Sequence, residues 1–320
     1  MSSPILGIDI AKASFQAALL HNGKLHHHRF DNSAQGFAQL QTWLVKHRCK
    51  RLHAGMEATA SYGDELALFL YLAGHTVSIV NPARIKGFAQ SQLQRNKTDQ
   101  LDATLIARFC QQQAPEAWTP PPAEIQQLRA LMRRLAALQE MRQQEVNRLE
   151  QAGNQALIRE SLEKIIATLD GEIARLRQLI KDHIDQHPDL KRDRELLMSI
   201  PGIGETTAAW LLSEVQVAAY SSARQVAAHA GLTPRHHESG TSVHGPTRLS
   251  KTGNARLRRA LYLPAVVAKR YNPIIRAFCQ RLEKRGKRPM EIVGAAMRKL
   301  LHIVYGVLKS GKAFDPSLAA

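Results

Sequence analysis

Three short apolar runs open this chain, and their spacing limits the fold more than any other feature. Residues 4–10 (Pro-Ile-Leu-Gly-Ile-Asp-Ile), Phe15–Leu20 and Leu25–Phe30 are each of strand length. His-Asn-Gly-Lys at 21–24 supplies a tight turn between the second and third, because Asn-Gly readily takes the positive φ of a hairpin turn. Alternation follows. Asn32 or Ser33 can cap a helix with an apolar stripe of Phe37, Leu40, Trp43 and Leu44. Residues 51–57 suit a strand ending at Glu57, residues 63–73 a helix stopped near Gly74, and His75–Val80 a strand closed by Asn81-Pro82. After a basic loop, Asn96 or Thr98 can cap a further helix in which Leu101, Leu105 and Phe109 recur at helical spacing. Hairpin-linked strands followed by β and α units in turn specify an α/β fold, a mixed sheet with helices on both faces.

In open α/β sheets, sites gather at the ends of the central strands. Asp9 lies near the end of the first strand and Glu57 ends the fourth. Asp99 and Asp102, three apart in the first turn of the last helix, project from one side. The helix dipole favours anions there, but the two charges repel, and a divalent cation such as Mg²⁺ or Mn²⁺ relieves that repulsion. Taken singly, Asp9 is an ordinary turn residue and Glu57 a surface acid. Four carboxylates arriving at one end of a sheet favour a metal site. The order of elements and the position of the acids resemble the ribonuclease-H/RuvC-like nuclease fold, where such acids hold one or two Mg²⁺ ions.

Residues 114–122 (Ala-Pro-Glu-Ala-Trp-Thr-Pro-Pro-Pro) interrupt regular structure and mark a boundary. Two long helical stretches follow. Leu128, Leu131, Leu135 and Leu138 stripe the first, and Leu162, Ile166, Leu169, Ile173, Leu176 and Ile180 the second. This is a coiled-coil or helical-hairpin pattern, suited to a spacer and dimerisation arm that ends at Pro188. Residues 199–212 (Ser-Ile-Pro-Gly-Ile-Gly-Glu-Thr-Thr-Ala-Ala-Trp-Leu-Leu) resemble the hairpin of a helix-hairpin-helix module, whose glycines let backbone N–H groups approach a phosphate.

A second chemical candidate spans residues 229–254, a loop dense in hydroxyls, glycine and basic residues. Arg235, Arg248 and Lys251 can stabilise phosphate oxygens, with His236 and His237 nearby in sequence. A serine here can attack a phosphodiester if its proton is removed. Composition does not separate Ser239, Ser242 and Ser250, and any of them also suits a turn or a cap. The last 70 residues read as helices. Leu257, Leu261 and Val267 line one face beside Arg256, Arg258 and Arg259; Ile292, Ala296, Leu300, Ile303 and Val307 line another, stopped at Gly311. Arg281, Lys284, Arg285, Lys287 and Arg288 form a basic link between them.

Charge follows the same division. Of the formal net charge of +17, residues 251–320 contribute 16 Lys and Arg against 3 Asp and Glu, a local +13. Such asymmetry favours a polyanion, most simply nucleic acid, over a membrane surface. Aromatic residues are only 5% of the chain, so base stacking is not the main mode of contact. No apolar run is long enough to span a bilayer, and the first residues lack a signal-peptide pattern. Cys49, Cys110 and Cys279 have no Cys-x-x-Cys spacing and read as buried, reduced thiols of a cytoplasmic protein.

Several motifs taken together resemble one family. Gly-Ile-Asp-Ile-Ala-Lys (7–12), Glu-Ala-Thr (57–59), Val-Asn-Pro-Ala (80–83), Arg-Asn-Lys-Thr-Asp-Gln-Leu-Asp-Ala (95–103), Ile-Pro-Gly-Ile-Gly (200–204), Ala-Gly-Leu-Thr-Pro-Arg (230–235) and Glu-Ser-Gly (238–240) occur in order over nearly the whole chain. By these the chain is similar to the DEDD transposases of bacterial insertion sequences, the insertion-sequence one-ten family, related to the Piv invertases. Ala60 stands where that pattern has glycine. The resemblance implies a RuvC-like DEDD domain over 1–118, a coiled-coil spacer over 119–190 and a mainly helical C-terminal transposase domain over 191–320. It implies that Asp9, Glu57, Asp99 and Asp102 are the metal ligands and Ser239 the nucleophile of a phosphoserine intermediate. It further implies a structured bridge RNA that pairs with donor and target double-stranded DNA, dimers that assemble into tetramers, and action at the bacterial nucleoid. The residues' chemistry alone leaves open a metal-activated water in place of the serine, and a nucleic-acid-binding protein whose acids are structural.

Overall fold

The computed structural model describes residues 3–58, 62–92, 98–239 and 243–319, and divides into two compact units, Met1–Pro121 and Pro122–Ala320. In the first unit, β1 (Ile5–Ile10), β2 (Ser14–His21) and β3 (Lys24–Asp31) are joined as antiparallel neighbours. Asn22 and Gly23, both at positive φ, make the two-residue turn between β2 and β3. The helix α1 (Ala34–Lys46) starts at Ser33, whose side chain accepts from the Gly36 N–H. Next come β4 (His53–Glu57), α2 (Asp64–Leu72), β5 (Thr76–Val80), α3 (Pro82–Ser91) and α4 (Asp99–Gln113). The sheet order is β3-β2-β1-β4-β5, with β1, β4 and β5 parallel. Strand β1 is central and apolar because both its faces are covered.

Alternation along β1 separates two cores. Leu6, Ile8 and Ile10 pack with Leu40 and Leu44 of α1 and Leu66 and Leu70 of α2. Ile5 packs on the other face with Ile85 and Phe88 of α3 and Leu105, Ile106 and Phe109 of α4. The mixed sheet between helical layers is the arrangement expected from the sequence. The basic loop after β5 is corrected: residues 82–91 form α3, with Pro82 in its first turn and the Asn81 side chain accepting from the Ala83 N–H at 2.8 Å. Asn81-Pro82 ends a strand and also starts a helix, since proline suits the first helical turn. Thr98 caps α4; Asn96 lies outside the described residues. Leu101, expected on the apolar stripe of α4, is 38% exposed.

The second unit has one buried core, from Ile125 to Val307. Helices α5 (Ala123–Gln151) and α6 (Ala156–Gln186) form an antiparallel hairpin: His183 bonds the Glu124 carbonyl at one end, and Arg142 pairs with Asp170 further along. Then come α7 (Pro188–Met198), α8 (Glu205–Glu214), α9 (Ala223–His229), β6 (Pro234–Ser239), β7 (Val243–Leu249), α10 (Ala255–Ala260), α11 (Tyr262–Tyr271), α12 (Pro273–Lys284) and α13 (Pro289–Ser310). The loop expected over 229–254 is corrected in part, since β6 and β7 pair as an antiparallel hairpin. Leu257 and Leu261 are buried as expected, but Val267 is exposed because the helix restarts at Leu261 and changes phase. Gly202, at φ 106°, lets the α7–α8 turn press on α11; a Cβ there would lie 2.8 Å from that of Ala268.

Candidate active site

The position of the acids follows from two glycines. A Cβ on Gly7 would lie 2.1 Å from the Ala103 carbonyl oxygen and 2.4 Å from the Ala107 nitrogen, and one on Gly55 would lie 2.1 Å from Cys110 Sγ. Helix α4 therefore rests directly on the backbones of β1 and β4. Side chains two residues further along a strand share its face, so Asp9 and Glu57 project on the α4 side. The parallel register pairs Ile8 with Met56, and one further step sets Glu57 beside Asp9. Antiparallel pairing sets Gln16 opposite Asp9, and Arg29 opposite Gln16. One row across the sheet thus reads Arg29, Gln16, Asp9, Glu57. Asp99 and Asp102 occupy the first turn of α4, and Asp99 lines a groove of about 650 Å³ together with Gln16 and Arg29.

The four predicted acids are thus brought to one end of the sheet by β1, β4 and the start of α4. Asp9, Glu57 and Asp102 are partly buried and each has an interaction partner, whereas Asp99 is exposed. Among the described residues, no group of three or more His, Cys, Asp or Glu side chains is gathered closely enough to hold a metal ion. Ala60 of the Glu57 motif lies outside the described residues. Cys110, on the sheet-facing side of α4, is a packing residue, its thiol pushed up to about 12 by burial despite nearby Arg84.

In the second unit, Ser239 ends β6, opposite Val243 and next to the hairpin tip. The side chains of His236, His237 and Ser239, and all of Ser242, lie outside the described set. The base of the hairpin is firmly built. Arg235 pairs across it with Arg248, and the Ser250 and Lys251 N–H groups donate to the Thr233 and Gly231 carbonyls. Arg258 donates to the Ala230 and Lys251 carbonyls. Asn254 caps α10 and donates through Nδ2 to buried Glu214 at 2.7 Å; Arg129 of α5 donates to the Ser213 carbonyl and stands 4.0 Å from the same carboxylate oxygen. Burial holds His229 below the usual histidine range, partly opposed by Glu214, and pushes Tyr220 up to about 12.

Comparison with known proteins decides what this architecture belongs to. A family model described as "Transposase", DEDD type of IS110, matches residues 6–158, and one described as "Transposase IS116/IS110/IS902 family" matches residues 194–280. The pilin gene-inverting proteins of Moraxella bovis and Moraxella lacunata are each 36% identical over 320 residues, covering 98% of this chain and of theirs. The transposase for insertion sequence element IS1328 of Yersinia enterocolitica is 26% identical over 97% of this chain and 98% of its own. The chain belongs to the IS110 family of transposases. It is a DNA-recombining enzyme of insertion-sequence type, and no helix among its described residues is long and apolar enough to cross a membrane.

In this transposase the remaining basic candidates fall into two groups. Lys251, Arg256 and Arg259 are exposed around the hairpin base, while Arg258 turns inward to the two carbonyls. Lys284, Arg285 and Lys287 are exposed at the α12–α13 turn, where Gly286 has positive φ, and Arg288 starts α13 with its N–H on Glu291. The sequence reasoning missed Gln16 and Arg29 beside the acids, Arg108 further along α4, and Arg129, Glu214 and Asn254 beneath the hairpin. Alternation in β3 could have found Arg29, and the helix-capping Asn254 after Gly253 carried a signal of its own.

Proposed function

We propose that this transposase cuts and rejoins donor and target DNA by phosphoryl transfer through Ser239, guided by a bridge RNA. The observation that supports the serine step is the position of Ser239, the last residue of a strand in a hairpin whose base is clamped by Arg258 and by the Asn254–Glu214 pair; the guide RNA rests on the family resemblance. A nucleophile needs a fixed approach, and a hairpin whose base is rooted in a helical core is a fitting carrier for one. Its hydroxyl oxygen bonds to phosphorus as the bond from phosphorus to a deoxyribose oxygen breaks, and over the step the serine proton is exchanged for one on that leaving oxygen. The serine ester conserves the phosphate linkage, so a hydroxyl of another strand can displace it.

Asp9, Glu57, Asp99 and Asp102 are the donors proposed for Mg²⁺ or Mn²⁺. Hard carboxylate oxygens are the donors such a cation takes, and the four would have to draw closer together than they stand here to hold it. When bound, the cation polarises phosphate oxygens and stabilises a leaving oxyanion. Arg235, Arg248 and Lys251 would neutralise charge near the hairpin, and Arg256, Arg259, Lys284, Arg285, Lys287 and Arg288 would hold nucleic-acid backbone, with Arg258 fixing the hairpin from below. We further propose that residues 119–190 act as a spacer and dimerisation arm between the DEDD domain over 1–118 and the transposase domain over 191–320. The exposed Met141, Leu157, Ile158 and Ile165 along that helical pair support a homo-oligomer, dimer or tetramer. The enzyme would work at the cytoplasmic nucleoid.

A covalent-adduct assay tests the chemistry. The protein is incubated with Mg²⁺, RNA transcribed from the non-coding flank of its element, and labelled DNA carrying the element's ends. Wild type should yield a protein–DNA adduct on denaturing gels that Ser239→Ala abolishes and Asp102→Ala reduces at least a hundredfold. Cleavage without adduct, unchanged in Ser239→Ala, would transfer the reaction to water activated at the acids. An adduct that no longer needs the RNA would remove the guide.

A further inference from the structure

Beside the acids, β3 and α4 enclose a groove that the proposed chemistry does not use. His27 and Arg29, alternate residues on one face of β3, form one wall. Thr98, which caps α4, and Gln100 and Arg108 within it form the other. Two adjoining hollows of about 650 and 270 Å³ share His27, Thr98 and Gln100 and so run on into each other. Arg29 donates from Nε and Nη2 to Ser14 Oγ at 3.2 and 2.9 Å, which lays its guanidinium across β2 at the end of the sheet where Asp9 lies. From Asp99 to Arg108 the groove follows nine residues of helix, about 14 Å at about 1.5 Å per residue. Five phosphates of a B-form strand, about 3.4 Å apart along the axis, span a similar length.

Beside the acid row the lining is cations, hydroxyls and amides with one carboxylate, Asp99; towards Arg108 it turns more apolar, where Leu25, Leu101 and Leu105 join Thr104 and Gln92. We propose that this groove takes the sugar–phosphate backbone of the DNA strand being cut, with Arg29 and Arg108 each contacting a phosphate and the strand running on to Asp9 and Glu57. Guanidinium groups suit phosphate oxygens, and the neutral wall adds donors and acceptors that do not depend on sequence. This placement rests on the proposed role of the four acids as the reaction centre.

The test uses the full chain in EDTA, so that no strand is cut, with a labelled 40-base-pair duplex of arbitrary sequence and the same sequence as RNA. Affinity is measured against salt for wild type, Arg29→Ala/Arg108→Ala, Arg29→Lys/Arg108→Lys and, as control, Arg148→Ala on the α5 tip. Arginine accessibility to phenylglyoxal is read by peptide mass spectrometry with and without DNA. The alanine pair should lower the slope of log affinity against log salt by about 1.8, or about 0.9 for each phosphate no longer neutralised. The lysine pair should restore most of that slope, Arg148→Ala should leave it unchanged, and DNA should protect Arg29 and Arg108 from the reagent. An unchanged slope with both arginines still reactive overturns the proposal, as does protection by RNA but not DNA. Asp102→Asn is run in parallel. If it recombines DNA like wild type while Arg29 and Arg108 stay protected, the acid assignment fails and the groove stands. If it is inactive while the alanine pair binds normally, the groove fails and the acids stand.

Discussion

A methyl group at Gly7 has no space, because the backbone of α4 already occupies it. Gly7→Ala must push α4 off the sheet and should destabilise the protein by about 2–3 kcal/mol, as overpacking of a close contact does. Gly87, inside α3 with open space around its Cα, gives the matched control: Gly87→Ala should stabilise by about 0.5–1 kcal/mol through helix propensity alone. Urea denaturation midpoints of the two variants should therefore move in opposite directions, and a Gly7→Ala midpoint equal to wild type would contradict the docking of α4. This difference explains what the sequence made legible at the site. Asp9, Glu57, Asp99 and Asp102 could be chosen because their residue type announces their chemistry and strand ends and helix starts can be read locally. The requirement for glycine at positions 7 and 55 could not, because it depends on a helix that arrives about 100 residues after the first and about 50 after the second. Glu214 was equally hidden, since nothing in its neighbours indicates that it is buried against Asn254.

The β6–β7 hairpin shows how an element inherits its rigidity from the one after it. Asn254 holds the start of α10 through Oδ1 and reaches Glu214 through Nδ2, while its own N–H donates to the His229 carbonyl at 2.6 Å. Asn254→Ala removes a cap and a hydrogen bond to a buried carboxylate, together worth about 2–4 kcal/mol. Asn254→Asp keeps the cap but sets a second carboxylate against Glu214, so it should be no more stable than the alanine variant. Pairing Asn254→Asp with Glu214→Gln should recover part of the loss, because the amide then donates to the new carboxylate. Thermal melting and the rate of trypsin cleavage at Arg235 and Arg248 report both effects; an Asn254→Asp protein as stable as wild type would rule out this pairing. In sequence the hairpin resembles a loop because serine, glycine and histidine conceal strand tendency, and its pairing depends on Gly231 and Lys251 at positive φ, which close its base. The helix α3 is hidden for the opposite reason: its cap and proline look like the end of the preceding strand.

At the scale of the whole molecule, the charge gradient was readable directly, whereas the way the parts share a core was not. Residues 119–190 pattern as a separate spacer, yet Leu128, Leu135, Leu176 and Ile180 pack in the same buried cluster as Leu211, Leu232 and Leu300. Such packing joins residues far apart in sequence, and periodicity records only that a face is apolar. Burial also sets how the protein responds to acid. His27, His47, His53, His75, His229 and His302 are all held below the usual value of 6.5, in each case chiefly because burial penalises the charged ring. Below pH 6.5 the unfolded chain takes up protons on these residues before the folded chain does. Stability conferred by the neutral rings is therefore present above pH 6.5 and is lost as pH falls from 6.5 through the folded values. Asp170 and Glu172, lowered by hydrogen bonds from Arg142 and Arg175, lose their smaller, solvent-screened contribution only in more acid solution. His75 isolates the first effect, because it is 4% exposed and neither ring nitrogen has a hydrogen-bond partner among the described residues. His75→Leu should be neutral or stabilising at pH 7.5, where only an unpaired polar group is removed. Between pH 7.5 and 5.5 its denaturation midpoint should fall less than that of wild type. Equal falls in the two proteins would mean that His75 takes up its proton while the chain is still folded.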